Sequence, residues 1–366
     1  MADLRIEQLL RAMVENKASD LHIRTGVPPI YRINGALTKL FETRVDAGMM
    51  DSFMDDIMNR DQKNRFETNK ECDFAVGARD MGRFRVNVFR QRGTIAMVIR
   101  HIKAKIPAFE ELHLPEVIRD LALTRRGLVL VTGTTGSGKS TTLASMLDYI
   151  NQTEAVNIIT VEDPIEYLYR DNKSIISQRE IGVDTLSYAN ALRAALRQDP
   201  DVLLVGEVRD LETMQIALTA ADTGHMVFAT IHTTNATETI QRVLSMYPPH
   251  QHDEIRILLS EVLAGIISLR LLPTADGKGR VPAAEVLVNT AAIKEYIRDK
   301  DKLSLVEHAI AEGHMQYHSQ TFDQALLELY KTEQISLETA MNAATNKDDF
   351  DLNIRGISVT SDRGWM

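Results

Sequence analysis

The chain has 366 residues, a length that predicts at least two domains. Hydrophobic residues make up 44% and charged residues 25%, the balance of an ordinary soluble globular protein. The net charge of -9 disfavours non-specific binding to nucleic acid, which needs a surplus of Lys and Arg. The single cysteine, Cys72, excludes an internal disulfide and a four-cysteine zinc site.

The N-terminal sequence and the apolar runs bear on where the chain resides. Residues 1–7 are charged and amphipathic, which is not typical of a secretory signal. No apolar run approaches the ~20 residues that a membrane span needs. We therefore expect a cytoplasmic protein that meets a membrane only through its partners.

The first hundred residues mix helical and strand patterns. Apolar residues recur at helical spacing in residues 4–16 and 49–58, and strands are predicted at 20–23, 30–33 and 94–102. These patterns predict a small α+β domain of PAS-like type over residues 1–105. A linker containing Pro107 and Pro115 is expected over residues 106–120.

From Gly127 onward, buried-strand patterns alternate with helical ones. Such alternation predicts an α/β core with a RecA-like parallel sheet over residues 121–272. The predicted strands of this core cover 128–131, 158–161, 202–205 and 226–231, and its helices cover 141–150, 188–197 and 211–221. Beyond residue 253 the pattern is helical, including 254–272, so we expect a helical C-terminal subdomain over 273–346 and a flexible tail over 347–366.

The strongest motif follows the strand predicted at 128–131. It matches G-x-x-x-x-G-K-[ST], the Walker A loop, between a strand and a helix. Glycines allow a loop whose N–H groups cradle phosphates, and the following helix adds its positive end. The predicted nucleotide-binding residues are Gly133, Thr134, Thr135, Gly136, Ser137, Gly138, Lys139, Ser140 and Thr141. Lys139 is expected to reach the β- and γ-phosphates, and Ser140 to hold Mg²⁺.

Hydrolysis needs a carboxylate that activates or orients water. Glu207 follows one predicted strand, Glu162 another and His232 a third, and ligands bind at the carboxyl ends of strands in open α/β sheets. We interpret Glu207 as the general base, Glu162 as a ligand of Mg²⁺ or of its water, and His232 as a γ-phosphate sensor. A helix-capping role for Glu207 and structural roles for Glu162 and His232 stay open. His225 is a nucleotide-binding candidate for which a structural role also stays open.

These motifs, taken together, resemble those of the secretion ATPases. The resemblance lies in a Walker A box, an Asp box, a Walker B box and a His box, at residues 133–140, 161–166, 197–210 and 223–235. Residues 19–22 and 82–87 extend it into the first domain. Within that superfamily the chain is similar to the type IV pilus retraction ATPases, the PilT and PilU group. Residues 292–299 match a PilT motif only in part, and the segment 276–280 is more similar to PilU.

The resemblance implies a Mg²⁺-dependent ATP hydrolase that forms a homo-hexamer with ATP at subunit interfaces. Arginines of the first domain would then complete a neighbour's site, with Arg83, Arg85, Arg90 and Arg100 as candidates. Domain rotation driven by hydrolysis would power pilus retraction and twitching motility. Implied partners are an inner-membrane pilus platform protein and a paralogous retraction ATPase, which places the ring at the membrane surface.

Five alternatives stay open from the sequence. The chain could be an accessory PilU-like motor or a pilus assembly ATPase. A RecA-like nucleic-acid translocase is disfavoured by the acidic composition and by the lack of an aromatic and basic stacking segment. A nucleotide-dependent switch with little turnover is disfavoured by Glu207. A small-molecule kinase is disfavoured because no acceptor pocket can be recognised.

Overall fold

The computed structural model describes residues 4–33, 35–102 and 106–356. It divides into two compact units, Met1–Lys105 with Glu166–Leu168, and Ile106–Ile165 with Tyr169–Met366. Residues 357–366 of the expected tail lie outside the described residues.

The first unit is an antiparallel sheet with helices on one face. Its sheet has the strand order β3-β2-β1-β6-β5-β4. Its helices are α1 (Ile6–Glu15), α2 (Ala47–Ile57) and α3 (Arg60–Asn69). Its strands are β1 (Asp20–Arg24), β2 (Ile30–Ile33), β3 (Ala36–Lys39), β4 (Glu71–Ala78), β5 (Gly82–Gln91) and β6 (Thr94–Ile102).

Alternation along β5 shows why this sheet has one buried face. Phe84, Val86 and Val88 are fully buried in the core formed with the helices, while Arg83 and Arg85 project from the opposite face. This pattern places arginines on the face of the sheet that the helices of this unit leave uncovered.

The second unit is a seven-stranded sheet with the order β13-β12-β7-β11-β10-β8-β9. All neighbouring pairs are parallel except β12 and β13. Its strands are β7 (Gly127–Thr132), β8 (Asn157–Glu162), β9 (Ile175–Glu180), β10 (Val202–Val205), β11 (Met226–Ile231), β12 (Leu263–Pro273) and β13 (Arg280–Val288). Its helices are α4 (Val117–Ala122), α5 (Lys139–Thr153), α6 (Tyr188–Ala195), α7 (Leu211–Asp222), α8 (Ala236–Ser245), α9 (His252–Val262), α10 (Ala291–Arg298), α11 (Val306–Glu312), α12 (His314–Tyr317), α13 (Phe322–Lys331), α14 (Leu337–Ala343) and α15 (Lys347–Ile354).

The central strands are buried on both faces. Every residue of β7, β10 and β11 is buried, and separate apolar clusters cover the two faces of the sheet. Continuous apolar strands need this double covering. The predicted α/β core with a parallel sheet is thereby confirmed, and β7 lies near its centre, between β11 and β12.

Two predictions from the sequence about the region after residue 253 need correction. The helix predicted over 254–272 is wrong, because α9 ends at Val262 and the chain continues as β12. The segment 273–346 is not purely helical, since β13 joins the central sheet beside β12. An apolar run gives no periodic signal that separates a buried strand from a buried helix, which explains both errors.

The expected linker and tail also differ from the structure. Residues 106–120 include a 3₁₀ turn at Phe109–Leu112 and the start of α4, and Phe109 and Ile118 pack into the core of the second unit. Within the expected tail, residues Lys347–Ile354 form α15, whose Phe350 is fully buried. Among the described residues, no helix is long and apolar enough to cross a bilayer.

Candidate functional site

The loop between β7 and α5 turns through three glycines with left-handed backbone angles. Their φ angles are +139° at Gly133, +81° at Gly136 and +104° at Gly138. Glycine adopts such angles at no steric cost, and a chain turning this way can direct successive N–H groups at an anion. The sequence-predicted phosphate loop therefore has the backbone form that an anion site requires.

The polar side chains of this loop fit a phosphate. Lys139, the first residue of α5, donates from Nζ to the carbonyls of Gly133 at 2.8 Å and Thr134 at 3.0 Å. Ser137 Oγ is buried with no hydrogen-bond partner in the described part of the chain. Ser140 follows at the positive end of α5, partly exposed. A phosphate oxygen would satisfy Ser137, and the Ser140 hydroxyl is a suitable ligand for Mg²⁺.

Glu207 lies two residues beyond β10. Arg209 Nη2 donates to its Oε2 at 2.6 Å, and His232 Nε2 lies 3.2 Å from its Oε1. The hydrogen bond from Arg209 lowers the pKa of Glu207 against the opposing effect of burial, and the charges of His232 and Lys139 lower this pKa further. Glu207 is therefore an ionised carboxylate within electrostatic reach of the phosphate-loop lysine.

Glu162 is the last residue of β8 and is buried. Its Oε1 accepts hydrogen bonds from Thr160 Oγ1 at 2.7 Å and Gln178 Nε2 at 3.2 Å. A Cβ on Gly206 would lie 3.1 Å from the Cα of Glu162 and 3.1 Å from the Tyr188 hydroxyl. Glycine at position 206 thus allows the end of β8 and the Tyr188 hydroxyl to lie close to the segment that follows β10.

Sequence reasoning missed two members of this site. Arg209 is the counter-ion of Glu207, and an arginine two residues after a candidate base was a signal that could have revealed it. Tyr188 begins α6. Burial raises its pKa, and the charges of Asp163 and Glu207 raise it further, so its hydroxyl stays protonated. No sequence pattern pointed to Tyr188, because packing brings it to the site.

The structure does not bring His225 to this site within one chain. His225 precedes β11, and the next residue, Met226, pairs with Gly127 at the start of β7. Six residues of strand, about 20 Å, separate that edge of the sheet from the phosphate loop. His225 Nδ1 lies 2.9 Å from the Ala220 carbonyl and 3.2 Å from Thr223 Oγ1, a structural setting.

The four candidate arginines lie in the first unit, where Arg85, Arg90 and Arg100 contact acids. Arg100 Nε donates to Asp20 at 2.8 Å, and Arg90 Nη2 donates to Glu67 at 3.2 Å. Arg85 Nε lies 3.8 Å from Asp73 Oδ1, and Arg83 is partly exposed on the same strand. Their role toward a neighbouring subunit stays a prediction.

A glycine loop, a lysine and an ionised carboxylate at the carboxyl edge of a parallel sheet define a P-loop nucleotide-binding protein. The chain belongs to the family of type II/IV secretion system proteins, whose model matches residues 3–348. The resemblance seen in the sequence is thereby confirmed.

Curated relatives from Pseudomonas aeruginosa match nearly the whole chain. It is 42% identical over 355 residues to the type IV pilus ATPase PilU, covering 96% of this chain and 92% of that protein. It is 44% identical over 345 residues to the type IV pilus retraction ATPase PilT, covering 94% and 99%. A twitching motility protein of Neisseria gonorrhoeae is 42% identical over 320 residues, covering 87% and 85%.

Solved structures show the same likeness. The crystal structure of the pilus retraction motor PilT with bound ADP has a TM-score of 0.88 and 47% identity, covering 94% of this chain and 98% of that one. The ATPase DotB of Legionella pneumophila has a TM-score of 0.80 and 28% identity, covering 96% of each chain. The fold of the chain is that of the secretion ATPases.

Proposed function

We propose that this protein is a Mg²⁺-dependent ATP hydrolase that acts as a motor for type IV pilus retraction. The observation that carries the proposal is the ionised Glu207, held by Arg209 and His232 at the sheet edge that bears the phosphate loop. PilT and PilU, the relatives at 44% and 42% identity, are both named as type IV pilus ATPases. Site chemistry and family membership therefore support the same activity.

Each side chain has a role that follows from its position. Lys139 would leave the loop carbonyls and bind the β- and γ-phosphates, while Ser140 and Glu162 would hold Mg²⁺, directly or through water. The metal would neutralise charge on the phosphates. Glu207 accepts a proton from the attacking water, a task for which its lowered pKa keeps it ionised. His232, beside Glu207, senses whether the γ-phosphate is present.

We further propose a homo-hexamer in which arginines of the first unit reach a neighbour's nucleotide. A guanidinium offers a rigid fork of donors suited to a γ-phosphate. Arg85 and Arg100 are exposed and pair in register across β5 and β6, so two guanidinium groups lie on one face of the sheet, beside Asp73 and Asp20 respectively. Hydrolysis would rotate the domains, and the ring would act at the cytoplasmic side of the inner membrane on a pilus platform protein.

Whether the protein is an independent or an accessory motor is judged from its similarity to PilT and to PilU. Identity to PilU and to PilT is nearly equal, at 42% and 44%. The partial match of residues 292–299 to the PilT motif favours a motor that works beside a second retraction ATPase. Cells lacking the protein should accumulate surface pili and lose twitching if it retracts pili alone, and should keep partial twitching if it is accessory.

Steady-state phosphate release with ATP and Mg²⁺ tests the activity directly. Lys139→Ala should lose nucleotide binding or turnover, and Glu207→Ala should bind ATP yet lose on the order of 100-fold in kcat. Glu254→Ala, which changes an exposed carboxylate on α9, is the matched control and should behave as wild type. Turnover by Glu207→Ala within twofold of wild type would refute its assignment as the base.

A further inference from the structure

Three buried polar side chains form a row across the neighbouring strands β7, β12 and β13. Ser268 pairs with Thr132 on one side and with Glu285 on the other, so all three share one face of the sheet. Thr132 and Ser268 are fully buried and Glu285 is 4% exposed. Burying a carboxyl group is costly unless hydrogen bonds compensate, so its partners are informative.

The row is linked by hydrogen bonds. Thr132 Oγ1 donates to Ser268 Oγ at 3.0 Å, and Ser268 Oγ donates to Glu285 Oε1 at 3.3 Å. The same oxygen accepts the backbone N–H of Ala236, the first residue of α8, at 2.6 Å. A carboxylate at this place also meets the positive end of the helix. Burial raises the pKa of Glu285 to about 7, against the effect of the Ala236 bond.

The row of polar residues connects two parts of the candidate nucleotide site. Thr132 directly precedes Gly133, the first glycine of the phosphate loop. Ala236 begins the helix that follows the loop bearing His232, and His232 contacts Glu207. A displacement of the start of α8 therefore moves His232 relative to the loop that holds the phosphates.

We propose that Glu285 is a positioning residue that sets His232 against the phosphate loop by holding the first turn of α8. In this role Glu285 acts through the start of α8 and His232, and has no direct part in the chemical step. This inference rests on the proposed function, because it takes Glu207 and His232 as the groups that control hydrolysis. Small shifts of a group that contacts the catalytic base can cost large factors in rate, so the effect belongs in kcat.

Steady-state kinetics of four variants test this role. Glu285→Ala should lower kcat on the order of tenfold while KM for ATP changes less than about twofold. Glu285→Gln should recover most of the rate, because its amide oxygen can still accept from the Ala236 N–H. Ser268→Ala is a milder change, and its kcat should lie between those of the wild type and Glu285→Ala. Asn289→Ala is the matched control, because its side chain holds the far end of β13 to Ser260 and Leu263.

A double-mutant cycle with His232→Ala decides how Glu285 acts. If Glu285 acts through His232, adding Glu285→Ala to His232→Ala should lower kcat by less than about twofold further. Asn289→Ala should have the same small effect in both backgrounds. Independent, multiplicative losses from Glu285→Ala and His232→Ala would overturn the proposal, as would equal losses in Glu285→Gln and Glu285→Ala.

The results that would reject the proposed ATPase function differ from those that would reject the role of Glu285. If His232→Ala alone keeps the wild-type kcat, the sensor role of His232 and the route from Glu285 through it both fall. If Glu207→Ala hydrolyses ATP normally, the assignment of Glu207 as the catalytic base is wrong, whatever the Glu285 variants show. If Glu207→Ala loses activity while the effects of Glu285→Ala and His232→Ala on kcat are multiplicative, the ATPase proposal holds and only the role of Glu285 is rejected.

Discussion

Replacing Gly133 by Ala should disrupt the phosphate loop more than any other single methyl added to it. A Cβ at this position would lie 2.4 Å from Ser137 Oγ and 2.6 Å from the carbonyl oxygen of Leu269 in the buried strand β12. The φ of +139° adds strain, about 1–3 kcal/mol. Displacing packed neighbours adds about 1–3 kcal/mol more. The sum, roughly 2–6 kcal/mol, must be relieved by moving the loop.

Gly136 provides the matched comparison. Its φ is +81°, and a Cβ there meets nothing within 4 Å, so Gly136→Ala carries only the conformational cost, roughly 1–2 kcal/mol. Thermal unfolding with and without ADP, and titration with a fluorescent ATP analogue, measure both effects. Gly133→Ala should lower the melting temperature on the order of 10 °C and weaken nucleotide binding more than tenfold. Equal behaviour of the two variants would show that the approach to Leu269 does not constrain the loop.

Two further predictions concern the counter-ion of Glu207 and the C-terminal helix. Arg209→Ala removes the main cause of the lowered pKa of Glu207, so this pKa should rise toward the ordinary value of a glutamate. Because a base works only when deprotonated, the acid limb of the kcat profile should move to higher pH, and an unmoved limb would contradict the role of Glu207. Phe350→Ala empties a fully buried site on α15 and should cost about 3–5 kcal/mol of stability in urea unfolding. An unchanged unfolding midpoint would show that α15 does not contribute to the core.

The phosphate loop was predictable because its chemistry is local. Glycines that need left-handed angles, a lysine and a hydroxyl stand in eight consecutive residues between a strand and a helix. The positions of Glu162, Glu207 and His232 were predictable for a related reason, since each follows an apolar strand and parallel strands end at one edge. Their hydrogen bonds were not predictable, because they depend on how the strand ends approach one another at Gly206.

The boundary between α9 and β12 shows where sequence patterns fail. Residues 254–272 are mostly apolar, and the β-branched pair at 266 and 267 was too short a signal against a helix extending from 254. The strand conformation of this segment depends on the close packing of neighbouring elements against Gly265. A Cβ there would lie 2.8 Å from the Leu287 carbonyl and 2.9 Å from the Leu121 side chain. Such tertiary constraints are not visible in the local sequence.

Glu285 illustrates the same limit at the level of function. Within β13 it interrupts a run of apolar residues, and a carboxylate in such a run normally predicts an exposed face of an edge strand. Its burial is explained by the start of α8, almost fifty residues earlier in the chain. There Glu285 accepts a hydrogen bond from the backbone N–H of Ala236, which has no partner within the helix. Because that partner is a backbone group, no side-chain pattern in the sequence marks the contact. The link between the phosphate loop and His232 can therefore be read only from the folded chain.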